Sequence, residues 1–268
     1  MKITVGHEQY VYEVKGKPFV DDHTRLIDQD EDLTKHSNWH KKGFTIRKLF
    51  DESTFNGFRQ HITKILLRKF KNSEIILDAN SICQYHTKIK NYDQHLAVVE
   101  NTKLIGSAEL SPYFEKLEHL VSEICGIPVQ SIKPLNNERV FHFRVVRPNQ
   151  KDFNPLHKDG WMDELKGCIN LYIPICGSNE KSSLILAEGS HLLTEDNFTR
   201  TKDGALMNDV QFNVPGLISS KKNLNFVKPN PGLNEILVFS PYLIHGGAMN
   251  LNTDETRISL EMRFWRKP

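Results

Sequence analysis

The C-terminal half of the chain consists of short apolar, β-branched runs that Gly, Pro and Asn interrupt. These runs lie at 138–146, 167–175, 182–188, 210–214, 224–227, 234–240 and 256–265. Many short strands separated by turn residues are typical of a β-sandwich or a β-barrel. The pattern therefore predicts a mainly β fold for residues 128–268.

The first 127 residues have a different character. Residues 2–14 and 43–50 read as short strands, whereas apolar residues recur at helical spacing from Asp51 to about Lys71. A further helix is predicted from an N-cap at Ser111, with Pro112 at its first position, to a stop at Gly126. At most one helix is expected between these two, around residues 91–100.

Helices that precede a strand-rich half predict a helical layer packed on one face of a sheet. No linker of domain scale and no internal repeat interrupts the sequence. We therefore predict a single domain over residues 1–268, with N-terminal strands and helices in about 1–127 and a β core in about 128–268.

Composition restricts the class of protein. The chain has 268 residues, of which 38% are hydrophobic and 25% charged, so a packed core is expected. A net charge of +2 is far from that of a dedicated nucleic-acid-binding protein. No stretch approaches the roughly 18 apolar residues of a membrane span, and the N-terminus does not resemble a signal peptide. We expect a cytoplasmic protein with neither a nucleic-acid nor a membrane partner.

The segment NPLHKDGW carries His157 and Asp159. Residues two apart in an extended segment point to the same side, as two ligands of one metal must. In a chain with 12 histidines, one such pair is also expected by chance. A surface histidine beside a surface aspartate is therefore the alternative interpretation.

His245 lies in the segment SPYLIHGG, which continues from the run 234–240, and two glycines follow it. Such a histidine can face a cavity while the backbone turns tightly, although a buried histidine bonded to a backbone carbonyl is the alternative. Two imidazoles and one carboxylate on one face of an iron leave positions open for a chelating cosubstrate and for dioxygen.

The run TRISLEMRF alternates strictly. Its apolar face carries Ile258, Leu260, Met262 and Phe264, and its polar face carries Arg257, Ser259, Glu261 and Arg263. An edge strand facing water explains a polar face. A cavity explains it as well, if Arg257 forms a two-point bond with a carboxylate and Ser259 adds a hydroxyl.

These motifs together resemble the iron(II)/2-oxoglutarate-dependent oxygenases, and among them the phytanoyl-CoA dioxygenase-like family. The matching segments are HKD (157–159), the EGSH turn (188–191), HGGAMN (245–250) and RIS (257–259), and the opening strand and helix at 43–58 are also similar. Glu188 departs from the proline usual in that turn, and we expect a structural role for it.

The resemblance implies a double-stranded β-helix, a jelly roll with the metal in its mouth. It implies iron(II) bound by His157, Asp159 and His245, and 2-oxoglutarate anchored by Arg257 with help from Ser259. Dioxygen would be consumed, and succinate and carbon dioxide released. Because related halogenases lack the carboxylate, Asp159 favours hydroxylation or another oxidation without halide.

Other residues are weaker candidates. Asn170 and Tyr172 share a face of the run 167–175, where they would hydrogen-bond the cosubstrate or satisfy polar groups in the core. Arg144 would meet an anionic group in the cavity or form a salt bridge at the barrel rim. Trp161 would wall the substrate pocket or pack in the core.

Two further assignments concern the surroundings of the site. His142 is a less favoured alternative metal ligand, and His191 is assigned to the EGSH turn. The polar segment 192–223 lacks a clear pattern and is a candidate lid.

The leading hypothesis is an enzyme that hydroxylates or otherwise oxidises a small polar metabolite, such as a sugar, an aminosugar, an amino acid or a natural-product intermediate. The absence of an acyl-binding apolar tract argues against a fatty-acyl substrate. The alternatives are an oxygenase acting on a protein or nucleic acid, and a catalytically silent jelly-roll binding module. The sequence leaves the oxidised position and the oligomeric state open.

Overall fold

The computed structural model describes residues 1–5, 8–103, 105–246 and 249–268. It confirms a mainly β fold with helices on one side. The larger sheet has the order β4-β14-β7-β16-β5, and β6 also pairs with β16. Its strands are β4 (Phe44–Lys48), β5 (Val129–Gln130), β6 (Phe141–Val146), β7 (Cys168–Cys176), β14 (Glu235–Phe239) and β16 (Arg257–Arg266).

A second sheet has the order β15-β8-β13-β1-β2. Its strands are β1 (Lys2–Val5), β2 (Glu8–Val11), β8 (Ile185–Glu188), β13 (Asn225–Val227) and β15 (His245–Gly246). The N-terminal strands that the sequence predicted therefore extend a sheet whose other strands come from the second half of the chain. The two curled sheets form the predicted double-stranded β-helix.

Helices cover the outer face of the larger sheet. They are α2 (Glu52–Asn72), α3 (Tyr92–Lys103) and α4 (Ser107–Cys125), whereas the four-residue helix α1 (Leu26–Gln29) lies beside the 3-10 turn Ser190–Leu192. The apolar faces of α2 and α4 and the apolar face of β16 belong to one buried cluster, which includes Phe58, Leu66, Leu117, Leu260 and Phe264. This packing confirms the helical layer and leaves the polar face of β16 turned the other way.

The start of α2 agrees with the sequence, since the Asp51 side chain accepts a hydrogen bond from the Thr54 amide at 2.9 Å. The predicted start of α4 is wrong. That helix begins at Ser107, so Pro112 lies inside it. Proline cannot donate to the carbonyl of Ala108, but the Ser111 hydroxyl does so at 2.8 Å, which relieves the cost of the missing amide.

The segment 192–223 is more regular than its sequence indicated. It contains β9 (Phe198–Thr201), β10 (Ala205–Met207), β11 (Val210–Phe212) and β12 (Leu217–Ser220). Strand β9 lies between β12 and the N-terminal strand β3 (Pro18–Phe19). Strands of three or four residues contain too few alternations to stand out in a sequence. The role of the segment as a lid stays a prediction.

Among the described residues, none of the helices combines the length and the apolar character that crossing a bilayer requires.

Candidate metal centre

The three predicted metal ligands meet in one buried cluster. The amides and carbonyls of His157 and His245 pair in both directions, at 2.9 and 2.8 Å. Asp159 follows at the start of a 3-10 turn, Asp159–Trp161. One nitrogen or oxygen of each side chain lies within 4.8 Å of the others. Backbone pairing thus brings a residue from the end of the second sheet to the HKD segment, and the structure confirms the expected convergence.

The two imidazoles are oriented by backbone carbonyls. Nδ1 of His157 lies 2.7 Å from the Pro155 carbonyl oxygen, and Nδ1 of His245 lies 3.0 Å from that of Leu243. Because a carbonyl only accepts, each Nδ1 carries a proton, so that Nε2 is the nitrogen with the free lone pair in the neutral form of each ring. The carbonyl bond proposed as an alternative for His245 is therefore present, and it aims the ring at the cluster.

Asp159 divides its two oxygens between different neighbours. Oδ2 accepts from Arg263 Nε at 3.1 Å, from Arg263 Nη2 at 2.9 Å and from Asn170 Nδ2 at 3.0 Å. Oδ1 is buried and accepts no hydrogen bond from the described residues. It lies 3.2 Å from His157 Nε2 and 3.6 Å from His245 Nε2. The carboxylate therefore turns one free oxygen towards two nitrogen lone pairs.

The protonation states fit a cation. Burial alone would raise the pKa of Asp159, but the Arg263 guanidinium and then the two imidazoles hold it well below its ordinary value. Burial, followed by the nearby His157, lowers the pKa of His245 to about 4. At neutral pH the carboxylate of Asp159 is therefore ionised and the ring of His245 neutral, which are the states that metal binding requires.

A cavity opens beside this cluster. It encloses about 530 Å³, part of it open to solvent, and it is lined by both histidines and by the polar face of β16. Strand β16 pairs with β6 on one side and with β7 on the other. The edge-strand explanation of its polar face is therefore wrong, because this face lines a cavity.

Arg257, which lines the cavity, and Ser259, two residues further along β16, have unused donors. The Arg257 side chain is buried and donates through Nη1 to the Ser182 carbonyl at 2.8 Å. Its Nε and the hydroxyl of Ser259 are buried without a hydrogen-bond partner among the described residues. A buried guanidinium with a free donor requires an anion, and a carboxylate matches it best.

Asn170 and Tyr172 lie on the inner face of β7. The Asn170 amide lines the cavity but donates to Asp159, and the Tyr172 hydroxyl lies 2.8 Å from that of Ser178. Both polar groups thus have partners within the protein. Their binding of a cosubstrate stays a prediction.

Arg144 forms the salt bridge that the sequence left open, and its contact with an anionic group in the cavity stays a prediction. It lines the cavity and also forms an ion pair with Glu261 at 3.2 Å. Trp161, in contrast, packs against Phe198 and donates to Glu195 at 2.8 Å, and it does not line the cavity. These contacts agree with the packing alternative, and the role of Trp161 in substrate binding stays a prediction.

The remaining motif residues are structural. His142 lies 3.0 Å from Glu261 and is outside the metal cluster. His191 bonds the His40 carbonyl within the EGSH turn, and the Ser190 hydroxyl accepts from the Ile244 amide, so the turn supports the strand of His245. Glu188 accepts from Asn225. Gly247 and Ala248 of the HGGAMN motif lie outside the described residues.

Arg263 is the site residue that sequence reasoning missed. It was assigned to the polar face of the run TRISLEMRF without a role. Its position six residues after Arg257 on an alternating strand was the available signal, since residues an even number apart share a face. Its partner Asp159 is 104 residues away in a 3-10 turn, and only the folded structure brings the two together.

No family model and no curated protein sequence matches the chain. Solved structures do match. EctD from S. alaskensis with 2-oxoglutarate and 5-hydroxyectoine has a TM-score of 0.52 at 11% identity, over 95% of this chain and 84% of EctD. Its apo form gives 0.53 over the same coverage. EvdMO1 gives 0.50 at 17% identity over 91% of this chain and 50% of EvdMO1. These similarities show a shared fold.

Proposed function

We propose that the chain is an iron(II)- and 2-oxoglutarate-dependent oxygenase that hydroxylates, or otherwise oxidises, a small polar metabolite. One observation carries this proposal. One possible ligand atom each of His157, Asp159 and His245 lies in a single buried cluster, where Oδ1 of Asp159 accepts no hydrogen bond from the described residues. Two imidazoles and one carboxylate are the ligand set of non-haem iron(II) oxygenases.

The proposed cosubstrate is supported by the free donors of the cavity. Arg257 would bind the distal carboxylate of 2-oxoglutarate through its unpaired Nε, and Ser259 would donate its hydroxyl beside it. EctD, which shares the fold, was solved with 2-oxoglutarate. Iron(II) together with 2-oxoglutarate supplies dioxygen activation, coupled to release of succinate and carbon dioxide.

The chain's own residues prepare this site. Backbone carbonyls fix the two ring tautomers, so that both Nε2 atoms keep their lone pairs for a metal. Arg263 and Asn170 hold Oδ2 of Asp159 and leave Oδ1 for coordination. The ion pairs and polar side chains of the cavity suit a small polar substrate better than an acyl chain.

The test measures succinate. The purified protein with iron(II), 2-oxoglutarate and air is expected to release succinate, and release is expected to rise when a pool of small polar metabolites is added. Asp159→Ala and His157→Ala should abolish release while the variants stay folded. Equal succinate release by the wild type and Asp159→Ala would remove this residue from the reaction, and no release by the wild type would favour a silent binding module.

A further inference from the structure

The charged side chains that line the cavity differ in how completely they are paired. Arg263 is bound to Asp159, and Asp152 forms a two-point pair with Arg147 at 2.7 and 2.9 Å. Both carboxylates are about 1% exposed. These charges are already paired, because two donors of each arginine bind its carboxylate.

Arg144 and Glu261 form an open pair in the same cavity. A single bond at 3.2 Å joins Nε of Arg144 to Oε2 of Glu261, and Nη1 of Arg144 donates to Asn154 at 3.2 Å. Among the described residues, neither Nη2 of Arg144 nor Oε1 of Glu261 has a hydrogen-bond partner. The side chains remain 32% and 14% exposed, so a cationic donor and an anionic acceptor stand side by side and face the cavity.

The strand register sets this pair next to the centre. Glu261 lies on the polar face of β16 between Ser259 and Arg263, and Arg144 is the β6 residue opposite Ser259. Arg144, Glu261, His157 and His245 line the same cavity. A molecule bound by this pair would therefore lie beside the metal ligands.

We infer that Arg144 and Glu261 bind the substrate and that the substrate is a small zwitterion, with an ammonium-type group and a carboxylate. Nη2 of Arg144 donates to the carboxylate, and Oε1 of Glu261 accepts from the cationic N–H. This inference rests on the proposed function, because Arg257 is taken by the cosubstrate.

Charge balance favours a zwitterion over other polar molecules. An anionic substrate would bring a negative charge next to Glu261, and a cationic one would bring a positive charge next to Arg144. A bound sugar would displace water from the charged side chains of Arg144 and Glu261 and offer them only uncharged hydroxyls. Hydrogen bonds to uncharged groups are weaker than those between two charged groups. A zwitterion gives both Nη2 of Arg144 and Oε1 of Glu261 a charged partner, and it leaves no charge unpaired.

The test compares matched ligands on the protein loaded with Mn(II) and 2-oxoglutarate, without turnover. Three pools are added separately: free amino acids and N-methylated or cyclic amino acids, the same compounds as N-acetyl amides, and monosaccharides with polyols. The free pool is expected to raise the unfolding temperature and the other two are not. No shift with the free pool, or an equal shift with a capped or sugar pool, would overturn the inference.

Variants then test whether Arg144 and Glu261 bind the compound that raises the unfolding temperature. Glu261→Gln and Arg144→Gln should each weaken binding of the responding compound about 10- to 100-fold, the effect of losing one charge-assisted hydrogen bond. Glu100→Gln, which breaks the exposed pair with Lys103 on α3, is the control and should bind like the wild type. Undiminished binding in both cavity variants would contradict the assignment, whereas the pool comparison on the wild type does not depend on how the variants fold.

The anaerobic absorption band of iron(II) with 2-oxoglutarate distinguishes a failure of the proposed function from a failure of the substrate assignment. If the wild type lacks this band, the proposed function itself fails. If the band forms and the free pool has no effect, only the assignment of a zwitterionic substrate fails. Glu261→Gln is expected to keep the band, because in the described part of the chain Glu261 pairs with Arg144 and His142 and forms no hydrogen bond or ion pair with the metal ligands or Arg257.

Discussion

Asp159 is the residue on which the site's geometry depends, because its two oxygens have different partners. Arg263 and Asn170 occupy Oδ2, and Oδ1 is left facing the histidine nitrogens. Residues behind the ligands commonly change metal affinity by about 10- to 100-fold. Arg263 is therefore a positioning residue for the carboxylate.

Substituting Arg263 tests this role. In Arg263→Gln, Asp159 loses its main positive neighbour, so its pKa rises and the carboxylate is free to rotate. We expect Mn(II) affinity to fall about 10- to 100-fold, measured by equilibrium titration in the absence of 2-oxoglutarate. Arg266→Gln, at the exposed end of the same strand, is the control. Equal affinities of the two variants would contradict the positioning role.

Arg257 should act on the cosubstrate and not on the metal. Arg257→Gln removes the buried charge but leaves the His–Asp–His cluster intact. The dissociation constant for 2-oxoglutarate on the Mn(II)-loaded protein is expected to rise about 10- to 100-fold, while Mn(II) affinity without cosubstrate stays unchanged. An unaltered 2-oxoglutarate affinity would refute the anchor.

At the scale of single residues, the sequence predicts candidate site residues where two of them lie close together along the chain. His157 and Asp159 are two residues apart, and Arg257 and Ser259 alternate on one strand, so a local pattern carries each pair. Arg263 and Glu261 pair with side chains from distant segments of the chain. A sequence does not show how such segments lie against one another. The charge pairs of the cavity could therefore not be predicted from the pattern.

Among the elements, β15 requires glycine at one position. Gly246 has φ +115°, and a Cβ there would lie 2.5 Å from the Pro155 carbonyl oxygen and 3.3 Å from Nδ1 of His157. The strand is short, but it holds His245 opposite His157. A side chain at this position would push the two ligand segments apart.

Gly246→Ala should therefore affect both stability and metal binding. We expect more than about 2 kcal/mol of destabilisation in urea, from the strained φ together with the collision, and weaker Mn(II) binding. Gly126→Ala is the matched control, because Gly126 also has positive φ (+71°) but open space around its Cβ. That variant should lose about 1 kcal/mol and bind Mn(II) normally. Identical behaviour of the two variants would show that the collision is harmless.

Long helices and strands were easier to predict from the sequence than short ones. Helix α2 has enough turns for its apolar stripe to be recognised, and Asp51 marks its start. Strands β9, β10 and β12 have three or four residues each, and the neighbouring sheet determines them more than their own pattern does. The start of α4 was misplaced because a side-chain hydroxyl, that of Ser111, compensates for an internal proline.

For the whole molecule, buried histidines set the response to acid. Burial, as the largest cause in each case, lowers the pKa of His95, His142, His191 and His245 to about 4. In the unfolded chain histidine titrates near about 6.5. Between these values the unfolded state binds more protons, so the free energy of unfolding decreases as the pH falls.

The metal-free protein should therefore lose stability steadily from about pH 6.5 to about pH 4. Urea denaturation at a series of pH values, in the presence of a chelator, measures this slope. His191→Gln, which removes one of these histidines at a distance from the metal ligands, should make the slope shallower by up to one proton. A flat profile across this window would contradict the assigned neutral state of the buried rings.

The central claim is that a single metal joins two sequence-distant segments in the mouth of the β-helix. Anaerobic titration of the protein with iron(II) in the presence of 2-oxoglutarate tests it most directly. A visible charge-transfer band should grow and saturate at one iron per chain, and Asp159→Ala should show none. A wild-type mixture that stays colourless while the protein remains folded would contradict the account.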